Sequence, residues 1–224
     1  MNDYYIAPRC DDPLRIVHVD AELLVVDKPA FLYTVPGRGP ENADSVISRL
    51  LPDYPEAVII HRLDLDTSGL LVVPRTARAR SVLSRQIRER EFGKVYLARV
   101  RGTPAGDSGE IRLPLARDPD NRPLMKVDPI DGKPCLTRWQ VLAREAGTTL
   151  LRLEPVTGRQ HQLRLHLAAI GHPILGCDLY ADAAALAASP RLLLHASELH
   201  FRHPESETPV SFRSPAPFVD RAPT

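Results

Sequence analysis

The sequence predicts an α+β fold, a mixed and largely antiparallel sheet with flanking helices. Three observations predict it: short strand-like runs outnumber helical segments, strands and helices do not alternate regularly, and two pairs of strand-like runs are joined by tight turns. A doubly wound parallel sheet would need regular alternation. With 224 residues, 43% of them hydrophobic, the chain has enough apolar side chains for one sizeable domain or two small lobes sharing a sheet. A single domain spanning residues 1–224 is the expectation.

The first elements are 15–19 and 23–27, two runs rich in Val, Ile and Leu that end at Lys28-Pro29 and read as a hairpin. Residues 45–51 suit a short helix. The apolar run 57–60 leads into His61-Arg62-Leu63-Asp64-Leu65-Asp66-Thr67-Ser68-Gly69, and 70–73 reads as a buried strand. From the capping Thr76 to Arg90, apolar Ala79, Val82, Leu83 and Ile87 recur at helical spacing, which leaves Arg78, Arg85 and Arg88 on a basic outer side. Residues 94–100 form a strand, 136–143 and 148–154 a hairpin around Gly147, and 157–169 a helix capped by Thr157 and stopped by Gly171 and His172-Pro173. A short Ala-rich helix at 181–188 and a strand within 191–201 follow. The tail after Pro204 is expected to be irregular.

Cys10, Cys135 and Cys177 are odd in number and far apart, so reduced thiols in the cytoplasm are expected. Neither a secretory leader nor a membrane span is expected, since the first residues lack a basic stretch followed by an apolar run and no later apolar run is long enough to span a bilayer. Net charge is only +1, yet between Arg75 and Arg101 nine basic residues face two acidic ones, and the rest of the chain is net acidic. Such a face suits phosphate, and arginine suits it better than lysine. A solvated helix face is the plain alternative.

The densest polar cluster lies at 61–69. Asp64 stands between two leucines and beside Arg62. Asp64 and Asp66 are two residues apart, so on extended backbone they point to opposite sides and do not make a paired-carboxylate site. Taken alone, the cluster could equally be a turn with a capping or salt-bridging aspartate. The second cluster is Thr157-Gly158-Arg159-Gln160-His161-Gln162-Leu163-Arg164-Leu165-His166. Arg164 supplies a permanent cation, and Arg159 near a helix N-terminus suits an anion. His161 and His166 are about 500° apart on a helix and diverge, so no metal site is expected. Tyr96 is a core tyrosine or a stacking platform for a base.

These segments together resemble the RluA-type pseudouridine synthase family. HRLDLDTSGLLVV resembles its signature HRLDxxTSGxxxxA, residues 94–100 its tyrosine motif, Thr157 to His166 its TGRxHQxRxH motif, and Gly171 to Gly176 the segment that follows. Val35 to Arg38, Asn121-Arg122-Pro123 and the absence of an N-terminal RNA-binding extension are similar to the compact members, which act on a tRNA anticodon loop and a large-subunit rRNA hairpin. The resemblance implies an isomerase that converts uridine to pseudouridine in structured RNA without metal or cofactor, as a cytoplasmic monomer without an obligate protein partner. It implies that Asp64 is the essential carboxylate, that Tyr96 stacks on the target base, and that Arg164 pairs with Asp64 and keeps it ionised. Arg62 would fill the space left by the flipped uridine. His61, Thr67, Arg159 and His161 are the further candidate contacts to RNA, with Arg85 and Arg88 on the basic helix. Whether Asp64 attacks C1′, attacks the base or removes the C2′ proton toward a glycal stays open, the glycal route being favoured. Phe31 departs from the family's usual glycine and Pro74 from its alanine, which bears, with Tyr33, on how RNA docks. Two other classes fit parts of the pattern: a catalytically silent RNA-binding module, and a carboxylate hydrolase acting on a nucleoside or sugar.

Overall fold

The computed structural model describes residues 5–219 and divides the chain into two compact units, one of residues 1–94 and 195–224 and one of residues 95–194. The first begins with the expected hairpin, β1 (Arg15–Val19) against β2 (Leu23–Lys28). Ser45 caps α1 (Val46–Leu50) in a capping box with Ser48. β3 (Ser68–Pro74) lies antiparallel to β2 and is buried along its whole length. Such continuous burial explains why its sequence is an apolar run without alternation. Pro74, which lacks an amide donor, ends the strand, and its carbonyl accepts from the Val58 amide at 3.1 Å.

Helix α2 (Ala77–Glu89) starts where its capping residue predicts, the Thr76 hydroxyl accepting from the Ala79 amide at 3.0 Å. Its buried face holds Ala79, Leu83 and Gln86.

The second unit is built on β4 (Gly93–Arg101), β5 (Ser108–Ile111), a small ladder of β6 (Leu115–Arg117) with β7 (Met125–Val127), and the long hairpin of β8 (Thr137–Glu145) and β9 (Thr148–Pro155). Here β4 pairs with β9, β9 with β8 and β8 with β5, all antiparallel. Helix α3 (Gln162–Ala169) drops Leu163 and Leu167 into a core with Ala98, Val100, Leu151, Leu153 and Ile174. α4 (Ala183–Ala187) is capped by Asp182.

Two strands return to the first unit. β10 (Leu194–Arg202) pairs in parallel with β3 through His195 and Ala196, and β11 (Pro209–Arg213) lies antiparallel to β10. Gly69 is required at the first pairing. It has φ 113°, and a Cβ there would stand 2.3 Å from the Ala196 carbonyl oxygen. Gln86 of α2 ties the same strand down, its amide group exchanging two 2.9 Å hydrogen bonds with the Arg202 backbone. Leu23, Val25, Leu70, Val72, Leu83, Leu199 and Phe201 form this unit's core.

Two expectations are corrected. The tail after Pro204 is not irregular throughout, because Val210 and Phe212 alternate onto the core and carry β11. The second long helix begins at Gln162, five residues later than expected. Thr157 does not cap it, standing five residues before the first helical residue, where its hydroxyl accepts from the Leu136 amide at 3.0 Å and donates to Gln162 Oε1 at 2.8 Å. His161 occupies the capping position in a left-handed conformation, φ 54°. The three cysteines are free and buried, and among the described residues no helix is long and apolar enough to cross a membrane.

Candidate active site

In the first unit the Asp64 loop is held by its backbone. Leu63 and Thr34 exchange two hydrogen bonds, the Thr34 hydroxyl donating to the Leu63 carbonyl at 2.9 Å and accepting from the Leu63 amide at 3.2 Å. The Leu65 carbonyl accepts from the Phe31 amide at 2.9 Å and from Lys28 Nζ at 3.0 Å. Residues on both sides of Asp64 are thus fixed, and the Thr67 amide closes the turn onto the Asp64 carbonyl at 3.2 Å. The clamp leaves the side chains of Arg62 exposed and Asp64 half-buried, while Leu63 and Thr67 are buried. A carboxylate and a guanidinium on so fixed a backbone are pre-positioned for chemistry on a bound ligand. Tyr33 flanks this loop, and burial together with the Asp66 charge raises its phenol above the ordinary value.

His61 takes a different place from a surface contact. Its Nε2 accepts from the Val72 amide of β3 at 3.2 Å, and its Nδ1 is buried with no hydrogen-bond partner among the described residues. Burial, with the Lys94 ammonium as a second cause, holds the imidazole well below its ordinary pKa. The ring packs on Phe92 at 5.7 Å, and Lys94 Nζ sits over that same Phe92 ring at 5.6 Å. Arg85 and Arg88 are exposed on α2.

In the second unit Tyr96 lies on β4 opposite Leu153, half-buried against the core. Arg164 is 2% exposed, although it is an arginine. Its Nη2 pairs with Asp178 at 2.5 Å, its Nε donates to the Cys177 sulfur at 3.4 Å, and its guanidinium lies 5.8 Å from the Tyr180 ring centre. Planar guanidinium and rigid partners give it one orientation. His161 meets the Tyr180 hydroxyl at 2.7 Å, so Tyr180 joins the two residues of the motif. Arg159 is exposed just before α3, and its amide donates to Gln162 Oε1 at 3.1 Å.

The rest of that motif is internal. Gln162 donates to the Leu136 carbonyl and to Thr137, and His166 is buried between Thr137 and the Leu113 carbonyl, at 2.9 and 3.0 Å. Since a carbonyl only accepts, Nε2 of His166 carries the proton and Nδ1 accepts from the Thr137 hydroxyl. Burial pushes this histidine below its ordinary pKa, so it is a structural member of the network. Asp178 and Tyr180 were missed as site residues. The signal for them was the run Gly176-Cys177-Asp178-Leu179-Tyr180, which offers an acid and an aromatic shortly after the motif helix.

Comparison with known proteins places the fold and the function. The solved structure of human RNA Pseudouridylate Synthase Domain Containing 1 superposes with a TM-score of 0.80 at 30% identity, covering 95% of this chain and 87% of that one. The fold is that of a pseudouridine synthase domain, and the chain is an isomerase acting on RNA. The family model described as RNA pseudouridylate synthase matches residues 22–169, and the chain belongs to that family. Curated relatives include the Dual-specificity RNA pseudouridine synthase RluA of Yersinia pestis, 49% identical over 91% of this chain and 99% of its own length. The protein of the same name from Escherichia coli strain K12 is 48% identical over 92% of this chain and 94% of its own length.

Proposed function

We propose that this isomerase acts on two RNAs, a tRNA anticodon stem-loop and a large-subunit rRNA hairpin, in the cytoplasm as a monomer, with both compact units serving one reaction. The dual-specificity relatives, similar over nine-tenths of the chain, support action on two RNAs, and the motif resemblance supports the anticodon stem-loop and the rRNA hairpin as those two. Asp64 is the catalytic carboxylate, Tyr96 stacks on the target base, and Arg164 is the cation that keeps Asp64 ionised and oriented. The observation that carries this assignment is the clamp on Leu63 and Leu65, which fixes the backbone on each side of the half-buried Asp64.

The chemistry follows from these roles. A uracil inside a stack cannot be reached, so the base must flip, at a cost of about a few kcal/mol that is least in a loop. Arg62, exposed beside Asp64, fills the vacated space. Asp64 then removes the C2′ proton, the C2′–H electrons form the C1′–C2′ double bond, and uracil departs with the N1–C1′ pair. Rotation of the uracil and attack by C5 on C1′, with return of the proton to C2′, followed by loss of the C5 proton and protonation of N1, give pseudouridine.

The test is carbodiimide-adduct primer extension on unmodified tRNA and rRNA-hairpin transcripts, with the wild-type chain and Asp64→Ala. A new stop at one loop uridine in each transcript, absent with Asp64→Ala, is expected. A stop that persists in Asp64→Ala would overturn the catalytic assignment, and a stop in one transcript alone would overturn dual specificity. A C2′-deuterated substrate is expected to slow a rate-limiting cleavage; an unchanged rate there excludes proton removal.

A further inference from the structure

The basic run that begins at Arg75 is not one surface. Arg75 is engaged by Glu56 at 2.6 Å, Arg99 pairs with Glu145 and Arg101 with Asp182. Arg80, Arg85 and Arg88 stand exposed on α2, and the last two reach Glu89 at 4.0 Å each, the outer limit of an ion pair. With Ser81 and Ser84, these three line an open cleft of about 610 Å³ whose far wall carries the Glu56–Arg75 pair.

The arrangement follows from helix geometry. At 100° per residue, Ser81, Ser84 and Arg88 fall on one line down α2, with Arg80 to one side and Arg85 to the other. Small hydroxyl side chains form the floor and guanidinium forks form the sides. Hydroxyls donate to phosphate oxygens, and guanidinium forks pair with them two bonds at a time. Arg80 and Arg88 are about 12 Å apart along the axis, a length that spans more than one phosphate of a strand. Among the described residues the lining holds no aromatic ring, so the cleft lacks the stacking platforms by which proteins hold unpaired bases. It is equipped to read backbone.

Its place in the first unit fits the same partner. The cleft starts beside Thr76, at the C-terminal end of β3, whereas the Asp64–Thr67 turn precedes the N-terminal end of that strand. Seven residues of strand separate them by about 20 Å. We propose that this cleft grips the sugar-phosphate backbone of the double-stranded stem that adjoins the target loop, independently of base sequence. The proposal rests on the RNA stem-loop as substrate. Arg80, Ser81 and Ser84 join Arg85 and Arg88 as its contacts.

The test uses the full chain and its Arg80→Ala/Arg85→Ala/Arg88→Ala variant, whose melting temperature is checked first. Affinity is measured from 50 to 200 mM salt for a tRNA anticodon stem-loop and for the same loop sequence as a linear strand. Each lost phosphate contact lowers the log–log salt slope by about 0.9 on a duplex. A loss of about 2 to 3 from the slope is expected on the stem-loop, with a change of less than about 0.7, one single-strand contact, on the linear RNA. An unchanged slope on the stem-loop overturns the proposal. An equal loss on both RNAs overturns it too, because the arginines would then hold single strand. Should the triple variant melt early, Ser84→Glu places a carboxylate on the floor and is expected to weaken stem-loop binding at least tenfold; unchanged binding counts against the cleft. If wild-type protein forms no pseudouridine on the stem-loop, the substrate assignment falls, an outcome separate from these slopes.

Discussion

Lys28 Nζ donates to the carbonyl of Leu65, 37 residues further along the chain, at 3.0 Å. The lysine is fully buried at the end of β2 and also donates to the carbonyls of Pro29 and Leu32 at 2.9 and 2.8 Å. Three ammonium protons and three carbonyls match. Because Leu65 follows Asp64, the pin sets where the carboxylate loop stands over the sheet. Lys28→Met keeps the stem's volume and removes the donor from the Pro29 and Leu32 carbonyls, at about 1–3 kcal/mol for each left unsatisfied, while Leu65 keeps the Phe31 amide. A loss of at least about 2 kcal/mol in urea unfolding, accompanied by a lower kcat, is expected. Unchanged stability would show that the pin is incidental.

Phe31 donates its amide to the same Leu65 carbonyl while holding φ 63°, the conformation for which glycine is suited. A left-handed backbone costs an L residue about 1–2 kcal/mol, part of which glycine returns through its freer unfolded chain. Phe31→Ala keeps the strain and loses the ring's packing. Phe31→Gly loses the packing as well but relieves the strain. The order expected from thermal melts is therefore glycine above alanine by about 1 kcal/mol. Alanine matching glycine would place the strain elsewhere.

The departure at Phe31 was visible in the sequence, but its backbone was not, since no residue type announces a positive φ when it is the unusual one. The cap at Thr76 was legible, its hydroxyl accepting from the Ala79 amide while it donates to Glu22. Thr157 looks the same on paper, but its hydroxyl accepts from the Leu136 amide and donates to the Gln162 side chain instead. Local hairpins such as β1–β2 and β8–β9 could be read from strand-like runs and turns. The pairing of β3 with β10 joins residues 127 positions apart, as Ser68 and His195 show, and local pattern carries no trace of it. The motif residues were likewise legible as a set, while the division between solvent-facing Arg62 and inward His61 needed the fold.

Arg164 and Asp178 form a pair in which the guanidinium is almost fully buried and the carboxylate half-exposed. Asp178→Asn leaves that cation without this partner, and lysine at 164 cannot reproduce the fork or the Nε contact to Cys177. In single-turnover assays Arg164→Lys is expected to slow the reaction on the order of a hundredfold. Asp178→Asn is expected to slow it less and to destabilise by about 1–3 kcal/mol. If Arg164→Lys turns over like the wild type, the fork is not used in the reaction.

His61 and Lys94 share the Phe92 ring, and burial lowers both, Lys94 to about 8 from 10.5 and His61 well below 6.5. Because Nε2 of His61 accepts the Val72 amide, the fold requires the neutral ring with its proton on Nδ1. Below pH 6.5 the unfolded chain takes up a proton at His61 that the folded chain refuses, so stability falls with falling pH. Between pH 8 and 10.5 the unfolded chain still holds the Lys94 proton that the folded chain has released, so stability rises with pH across that window. His61→Phe keeps a ring against Phe92 and orphans the Val72 amide. At pH 7.5 it is expected to cost about 1–3 kcal/mol, and it flattens the fall between pH 6.5 and 5. Lys94→Met removes a buried charge, so it is expected to raise stability at pH 7 and abolish the rise above pH 8. Urea midpoints across this range decide both. A Lys94→Met chain that keeps the alkaline rise would assign that proton to another group.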